Sequence, residues 1–152
     1  MRVVGGCSIN GAVVRCSIMN RVVIYTDGGA RNNPGPAGAG VVMVDGEKKV
    51  ELKKYIGERT NNWAEYEAII LALSEVKKRG LAGREIEIRM DSKLAVEQIS
   101  GNWKIKEPGL RRQAAKVRAL LAGFSSYTFV HIPREENEEA DALVNEAIDA
   151  AE

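Results

Sequence analysis

The chain is poor in the residues that build small disulfide or zinc scaffolds. Among 152 residues it has two cysteines, Cys7 and Cys16, and one histidine, His131. Two thiols cannot complete a four-ligand zinc site, and the histidine is far from them in sequence. The cysteines read as unpaired thiols in an arm or as one local disulfide, with no part in chemistry. Long hydrophobic runs are also missing: no stretch has the apolar length needed to cross a membrane. In the first 19 residues Gly, Ser, Asn and Arg15 interrupt every apolar run, so no signal-peptide core forms. A cytoplasmic protein without a membrane partner is expected. Internal repeats and low-complexity tracts are absent as well.

What is present fits one domain with a sizeable core: 45% hydrophobic and 28% charged residues. The net charge of +1 conceals an asymmetry. Between Lys93 and Arg118 seven basic residues face two acidic ones, whereas between Arg134 and Glu152 one basic residue faces eight acidic ones. The first segment suits a polyanion, and the second can contribute to a cation site.

Periodicity predicts the order β-β-β-α-β-α-α-β-α. Val22 to Tyr25 is a β-branched strand ending at Thr26-Asp27-Gly28-Gly29. The Pro- and Gly-rich stretch from Asn32 to Gly40 reads as a loop. Strands at Val41 to Val44 and Glu51 to Ile56 join through Asp45-Gly46, a hairpin signal. Asn62 to Arg79 is a helix stopped by Gly80. A strand from Glu85 to Met90, a short helix from Ser92 to Ser100 and a linker from Gly101 to Pro108 follow. A helix from Gly109 to Leu121, a strand from Tyr127 to Pro133 and a helix from Asn137 to Ala151 complete the chain. A meander followed by alternating elements favours a mixed sheet flanked by helices.

Four carboxylates fall where such a fold can gather them. Asp27 and Asp91 end the first and fourth strands. Glu65 and Asp141 lie early in the first and last long helices. If the two strands are neighbours, both aspartates emerge at one sheet edge, where open α/β sheets place ligands. Carboxylates that close need cations, and hard oxygen donors suit Mg²⁺ or Mn²⁺, a pair of which can drive an in-line phosphoryl displacement. Each acid also has a structural alternative. Asp27-Gly28 reads as a turn, Asn62 as a helix cap with Glu65 reaching back, Asp91 as a cap, and Asp141 as a partner for a helix dipole.

The sequences around the acids resemble the four motifs of type 1 ribonuclease H, in the family's order. The first is Tyr25-Thr26-Asp27-Gly28-Gly29-Ala30 with Asn33-Pro34-Gly35-Pro36-Ala37-Gly38. The second is Thr60-Asn61-Asn62-Trp63-Ala64-Glu65, the third Met90-Asp91-Ser92, and the fourth Asn137-Glu138-Glu139-Ala140-Asp141-Ala142-Leu143. The resemblance runs from about Arg21 to the end. It implies a ribonuclease H-like α/β fold with a five-stranded mixed sheet whose second strand is antiparallel. It further implies that residues 20–152 are the catalytic domain and 1–19 a poorly packed extension.

By the same resemblance Asp27, Glu65, Asp91 and Asp141 hold two Mg²⁺, with Mn²⁺ as a substitute. Water attacks the RNA strand of an RNA–DNA hybrid and leaves 5′-phosphate and 3′-hydroxyl ends. Gly28, Asn33, Asn61 and Asn62 match substrate-contacting positions, the amides being suited to 2′-hydroxyls because they both donate and accept. Thr60 matches a DNA-phosphate contact. Lys93 stands where the family often has Gln. His131 and Arg134 compete for the family's auxiliary position, with Arg134 favoured by the surrounding sequence. The basic, Trp-containing inserted helix of many members is missing, because Gly101 to Pro108 is too short for it. Double-stranded RNA as a second substrate, a non-catalytic hybrid-binding module, and a monomer complete the expectations.

Overall fold

The computed structural model describes residues 21–152. The extension expected over residues 1–19, with Cys7 and Cys16, lies outside the described residues. Ten elements follow. They are β1 (Arg21–Ala30), β2 (Gly35–Asp45), β3 (Lys48–Arg59), α1 (Asn61–Lys78), β4 (Glu85–Met90), α2 (Lys93–Ile99), α3 (Pro108–Leu121), β5 (Ser126–His131), a 3-10 turn (Arg134–Glu136) and α4 (Glu138–Ala151).

The strands form one sheet in the order β3-β2-β1-β4-β5. β2 runs antiparallel to β1 and β3, while β4 is parallel to both β1 and β5. This is the five-stranded mixed sheet with an antiparallel second strand that the motifs imply. Alternation in β1 and β4 buries Val22, Ile24, Ile86, Ile88 and Met90 on one face. Against them pack Tyr66, Ile69, Leu73 and Val76 of α1, and Leu110, Ala114, Val117 and Leu121 of α3. On the opposite face α4 buries Ala140 and Leu143 against Val42. The Asp45-Gly46 hairpin forms as expected, with Gly46 at φ +64°.

Three expectations are corrected. β1 does not stop at Tyr25 but continues through Asp27, Gly28 and Gly29 to Ala30. Residues 35–40, read as loop, are strand and pair with both β1 and β3. Glycine is required there by close packing rather than by a turn. A Cβ on Gly40 would overlap the carbonyl oxygen of Ala140, and one on Gly38 would lie 2.9 Å from that of Val144. The helix backbone therefore rests directly on the strand. The last strand ends at His131 rather than Pro133, since proline cannot donate to the ladder.

Gly40→Ala should lower stability by about 2 kcal/mol, on the order of 5 °C in Tm. Gly83→Ala, with nothing within 4 Å of the added carbon, serves as the control in thermal denaturation. Equal melting of the two variants would disprove the close seating of α4.

Candidate active site

The parallel register sets Thr26 opposite Met90, so Asp27 and Asp91 come next to each other just where the β1–β4 pairing ends, Asp27 still paired with β2. Glu65 arrives from the second turn of α1. Gly28 lets that helix approach, because a Cβ there would overlap the Ala64 carbonyl and lie 2.5 Å from the Glu65 amide. One carboxylate oxygen from each of Asp27, Glu65 and Asp91 falls within 4.8 Å of the other two. Asp141, exposed in the first turn of α4, stands next to Asp27 and lines the same cleft of about 410 Å³. Arg134 from the 3-10 turn also lines it, together with Gly28, Arg31, Asn61 and Asn145. His131 is exposed at the end of β5 and is not among the cleft-lining residues.

The capping alternatives for these acids do not hold. Thr60, not Asn62, caps α1, its hydroxyl oxygen accepting from Trp63 N at 3.2 Å. Ser92 caps α2 by accepting from Ala95 N at 3.2 Å. Glu65 and Asp91 are thereby left without a capping duty.

Burial and mutual repulsion dominate the electrostatics. Asp27, 7% exposed, has its pKa pushed up to about 8, first by desolvation, then by the charge of Asp91 and by hydrogen bonding to Asp141. Glu65 is raised well above the ordinary glutamate range by desolvation, then by Asp27 and Asp91, while the Gly28 amide and the Arg134 guanidinium oppose the shift. Glu65 Oε1 is buried with no hydrogen-bond partner. Such a site is uncomfortable as charge and incomplete as hydrogen bonding. A hard divalent cation resolves both defects, so the donor set fits Mg²⁺ or Mn²⁺.

The expected substrate contacts gather at the N-terminus of α1. Asn33 Oδ1 accepts from Asn61 N at 2.9 Å, and Asn61 Oδ1 accepts from Ala30 N at 2.7 Å. Each side-chain carbonyl thus already accepts one backbone N–H, while the NH₂ groups of both residues are free of protein partners among the described residues and can donate to a ligand. Asn62 is exposed on the same first turn, and Lys93 is exposed as the first residue of α2.

Two contributions escaped sequence reasoning. Arg31, which pairs with Asp149 at 2.7 Å and Glu152 at 3.2 Å, ties the β1–β2 loop to the last turn of α4. Asn137, placed just ahead of α4, reads as a cap but is 1% exposed and turned into the site. An asparagine followed by a helix carries no signal that separates these two uses.

The raised pKa of Asp27 makes a stability prediction. Folding favours its neutral form, so its contribution is complete below the ordinary value of 3.8 and is lost as pH rises through about 8. Metal-free Asp27→Asn should melt above wild type at about pH 8, by on the order of 5 °C, and differ little at about pH 4. Calorimetry showing identical melting at both pH values would mean that Asp27 ionises without penalty.

Comparison with known proteins agrees with this architecture. A family described as reverse transcriptase-like matches residues 25–147. Ribonuclease HI of Halobacterium salinarum is 45% identical over 142 residues, covering 92% of this chain and 70% of that protein. A bifunctional protein of Mycobacterium tuberculosis is 44% identical over 134 residues, 86% of this chain but 36% of its own length. The crystal structure of LC11-RNase H1 in complex with an RNA/DNA hybrid superposes with a TM-score of 0.81 at 52% identity, covering 86% of this chain and 98% of that one. With its four acids in the family's order on this sheet, the chain belongs to the type 1 ribonuclease H family.

Proposed function

We propose that this chain is an endonuclease that hydrolyses the RNA strand of RNA–DNA hybrids, with Asp27, Glu65, Asp91 and Asp141 as ligands of Mg²⁺. The observation that carries this reading is the buried triad Asp27, Glu65 and Asp91, whose oxygens converge while Glu65 Oε1 has no partner within the protein. The family membership supports it, as does the hybrid held by LC11-RNase H1. When bound with substrate, a pair of Mg²⁺ or Mn²⁺ ions supplies Lewis-acid stabilisation of the phosphate and lowers the pKa of a water.

The protein's own groups do the rest. The three converging carboxylates set the cation position from β1, β4 and α1, and Asp141 adds a fourth from the more exposed rim. Arg134, at the cleft and close enough to influence Glu65, offsets phosphate charge and takes the auxiliary role in place of His131. Asn33 and Asn61 donate to minor-groove acceptors and ribose oxygens, holding the RNA strand across the mouth of the cleft. The Thr60 hydroxyl, its oxygen engaged by Trp63 N, keeps its hydrogen for a phosphate of the DNA strand. Lys93 offers a second phosphate contact, and Asn62 a further amide. Water is the nucleophile, leaving 5′-phosphate and 3′-hydroxyl ends. Every role comes from one chain, so a monomer suffices.

The test is a gel assay of one labelled RNA strand with Mg²⁺ or Mn²⁺. The strand is presented alone, paired to DNA and paired to RNA. Cleavage should be confined to the hybrid and vanish in Asp27→Asn. Equal cutting of double-stranded RNA would overturn the hybrid specificity, and no cutting with either ion would overturn the enzyme.

Asn61→Asp keeps the acceptor for Ala30 N but removes both donors. The hybrid KM should rise about tenfold, the value of one good hydrogen bond, with the melting temperature close to wild type. An unchanged KM would remove Asn61 from the substrate contacts.

A further inference from the structure

Asn137 is not one of the four acids, yet it bonds to Thr26, Asp91, Arg134 and Asp141 around the site. It occupies the residue ahead of α4, where an asparagine side chain ordinarily caps the helix and stabilises it. Here it makes no capping bond. Its Nδ2 donates instead to the carbonyl of Thr26 at 2.9 Å, directly before Asp27, and reaches Asp91 Oδ2 at 3.5 Å. The backbone of the same residue adds two connections. Its amide donates to the Arg134 carbonyl at 2.9 Å, and its carbonyl accepts from Asp141 N at 3.1 Å.

The side chain is arranged against stability. It forgoes the cap, and its Oδ1 is buried with no hydrogen-bond partner, an omission that destabilises the fold. Turning the amide over would satisfy nothing, because Oδ1 would then face the Thr26 carbonyl and the Asp91 carboxylate, both acceptors. The orientation seen is the one that aims both amide hydrogens at the site. One is anchored on a strand carbonyl of β1, and the other is directed at a carboxylate that Asp27 and Glu65 repel.

We propose that Asn137 is a positioning residue whose side-chain amide holds Asp91 against that repulsion, at the spacing from Asp27 in which a divalent cation is bound. This rests on the cation site proposed above. Asp91 follows the end of β4, where the sheet ladder no longer constrains it. The amide links it to the β1 backbone beside Asp27 and so converts sheet geometry into carboxylate geometry. Groups in this relation to a metal ligand typically change metal affinity by about 10–100-fold when removed.

The test measures Mn²⁺ binding to the full chain by isothermal titration calorimetry, without nucleic acid. Asn137→Ala and Asn137→Ser are compared with wild type, each first checked for folding by circular dichroism and melting. The dissociation constant should rise about tenfold or more in both variants, with the hybrid KM at saturating Mn²⁺ unchanged. In an Asp91→Asn background, adding Asn137→Ala should weaken Mn²⁺ binding no further, since the amide acts through Asp91. A folded variant that binds Mn²⁺ like wild type overturns the positioning role and leaves the cation site standing. Additive losses in the double variant, or unfolding of both single variants, assign Asn137 to general stability and also overturn it. Wild-type protein that does not bind Mn²⁺ overturns the cation site itself.

Discussion

The site depends on the parallel pairing of β1 with β4. Because Thr26 lies opposite Met90, two aspartates are set side by side at the end of that pairing whatever their charges prefer. Two unit charges about 4 Å apart interact with roughly 4 kcal/mol at the effective dielectric of a protein surface. Locally only the Gly28 amide and the Asn137 side-chain amide oppose it. Most of what holds the pair is remote from it: the backbone ladder below, and the apolar seam of Val22, Ile24, Ile86 and Ile88 that α1 and α3 seal. The carboxylates are placed by hydrophobic burial several residues away, and the unfavourable charge is the part of the structure left for a cation to settle.

Helix approach turns the pair into a larger constellation, and glycine sets the approach. Gly28 lies under the Ala64–Glu65 peptide and Gly40 under Ala140. Each missing Cβ brings one helix backbone down onto the sheet. Glu65 is carried in by the first contact, and Asp141, one residue beyond Ala140, by the second. Side-chain chemistry and backbone packing are therefore not separable here. A methyl group at either glycine moves a carboxylate without touching it.

Much of this was legible in the sequence, and the part that was not has a common physical cause. The element order, the hairpin at Asp45-Gly46 and the edge shared by Asp27 and Asp91 follow from patterns of two or a few residues. Gly35 to Gly40 was misread because a turn and a strand lying under a helix both demand glycine, and only the third dimension tells them apart. The caps failed similarly. Thr60 and Asn62 are both good capping residues, and the choice between them depends on the direction from which β3 enters α1. The amides of Asn33 and Asn61 also hold the local backbone, since their carbonyls accept from backbone amides 28 and 31 residues away in sequence, a duty their motif positions do not display. Asn137 stands in the fourth motif, but what it does there rests on a bond to Thr26 across 111 residues.

The same distinction explains how a chain of nearly zero net charge presents two different electrostatic faces. Half of the acids in the last segment are paired within the fold: Lys49 pairs with Glu139, Lys53 with Glu146, and Arg31 with Asp149 and Glu152. Sequence counting treats those acids as a field, but the fold pairs them with β3 and the β1–β2 loop. By contrast Lys93, Lys104, Lys106, Arg111, Arg112 and Lys116 form no ion pair among the described residues. Paired surface charges contribute little to the potential beyond a few ångströms, whereas unpaired ones of a single sign add. The unpaired positive charge is thus concentrated in the α2–α3 region. Inside the cleft the field is negative and comes from four acids that no lysine reaches. A polyanion is drawn to the first face and repelled by the second, and a bound cation reverses the sign of the second without altering the first.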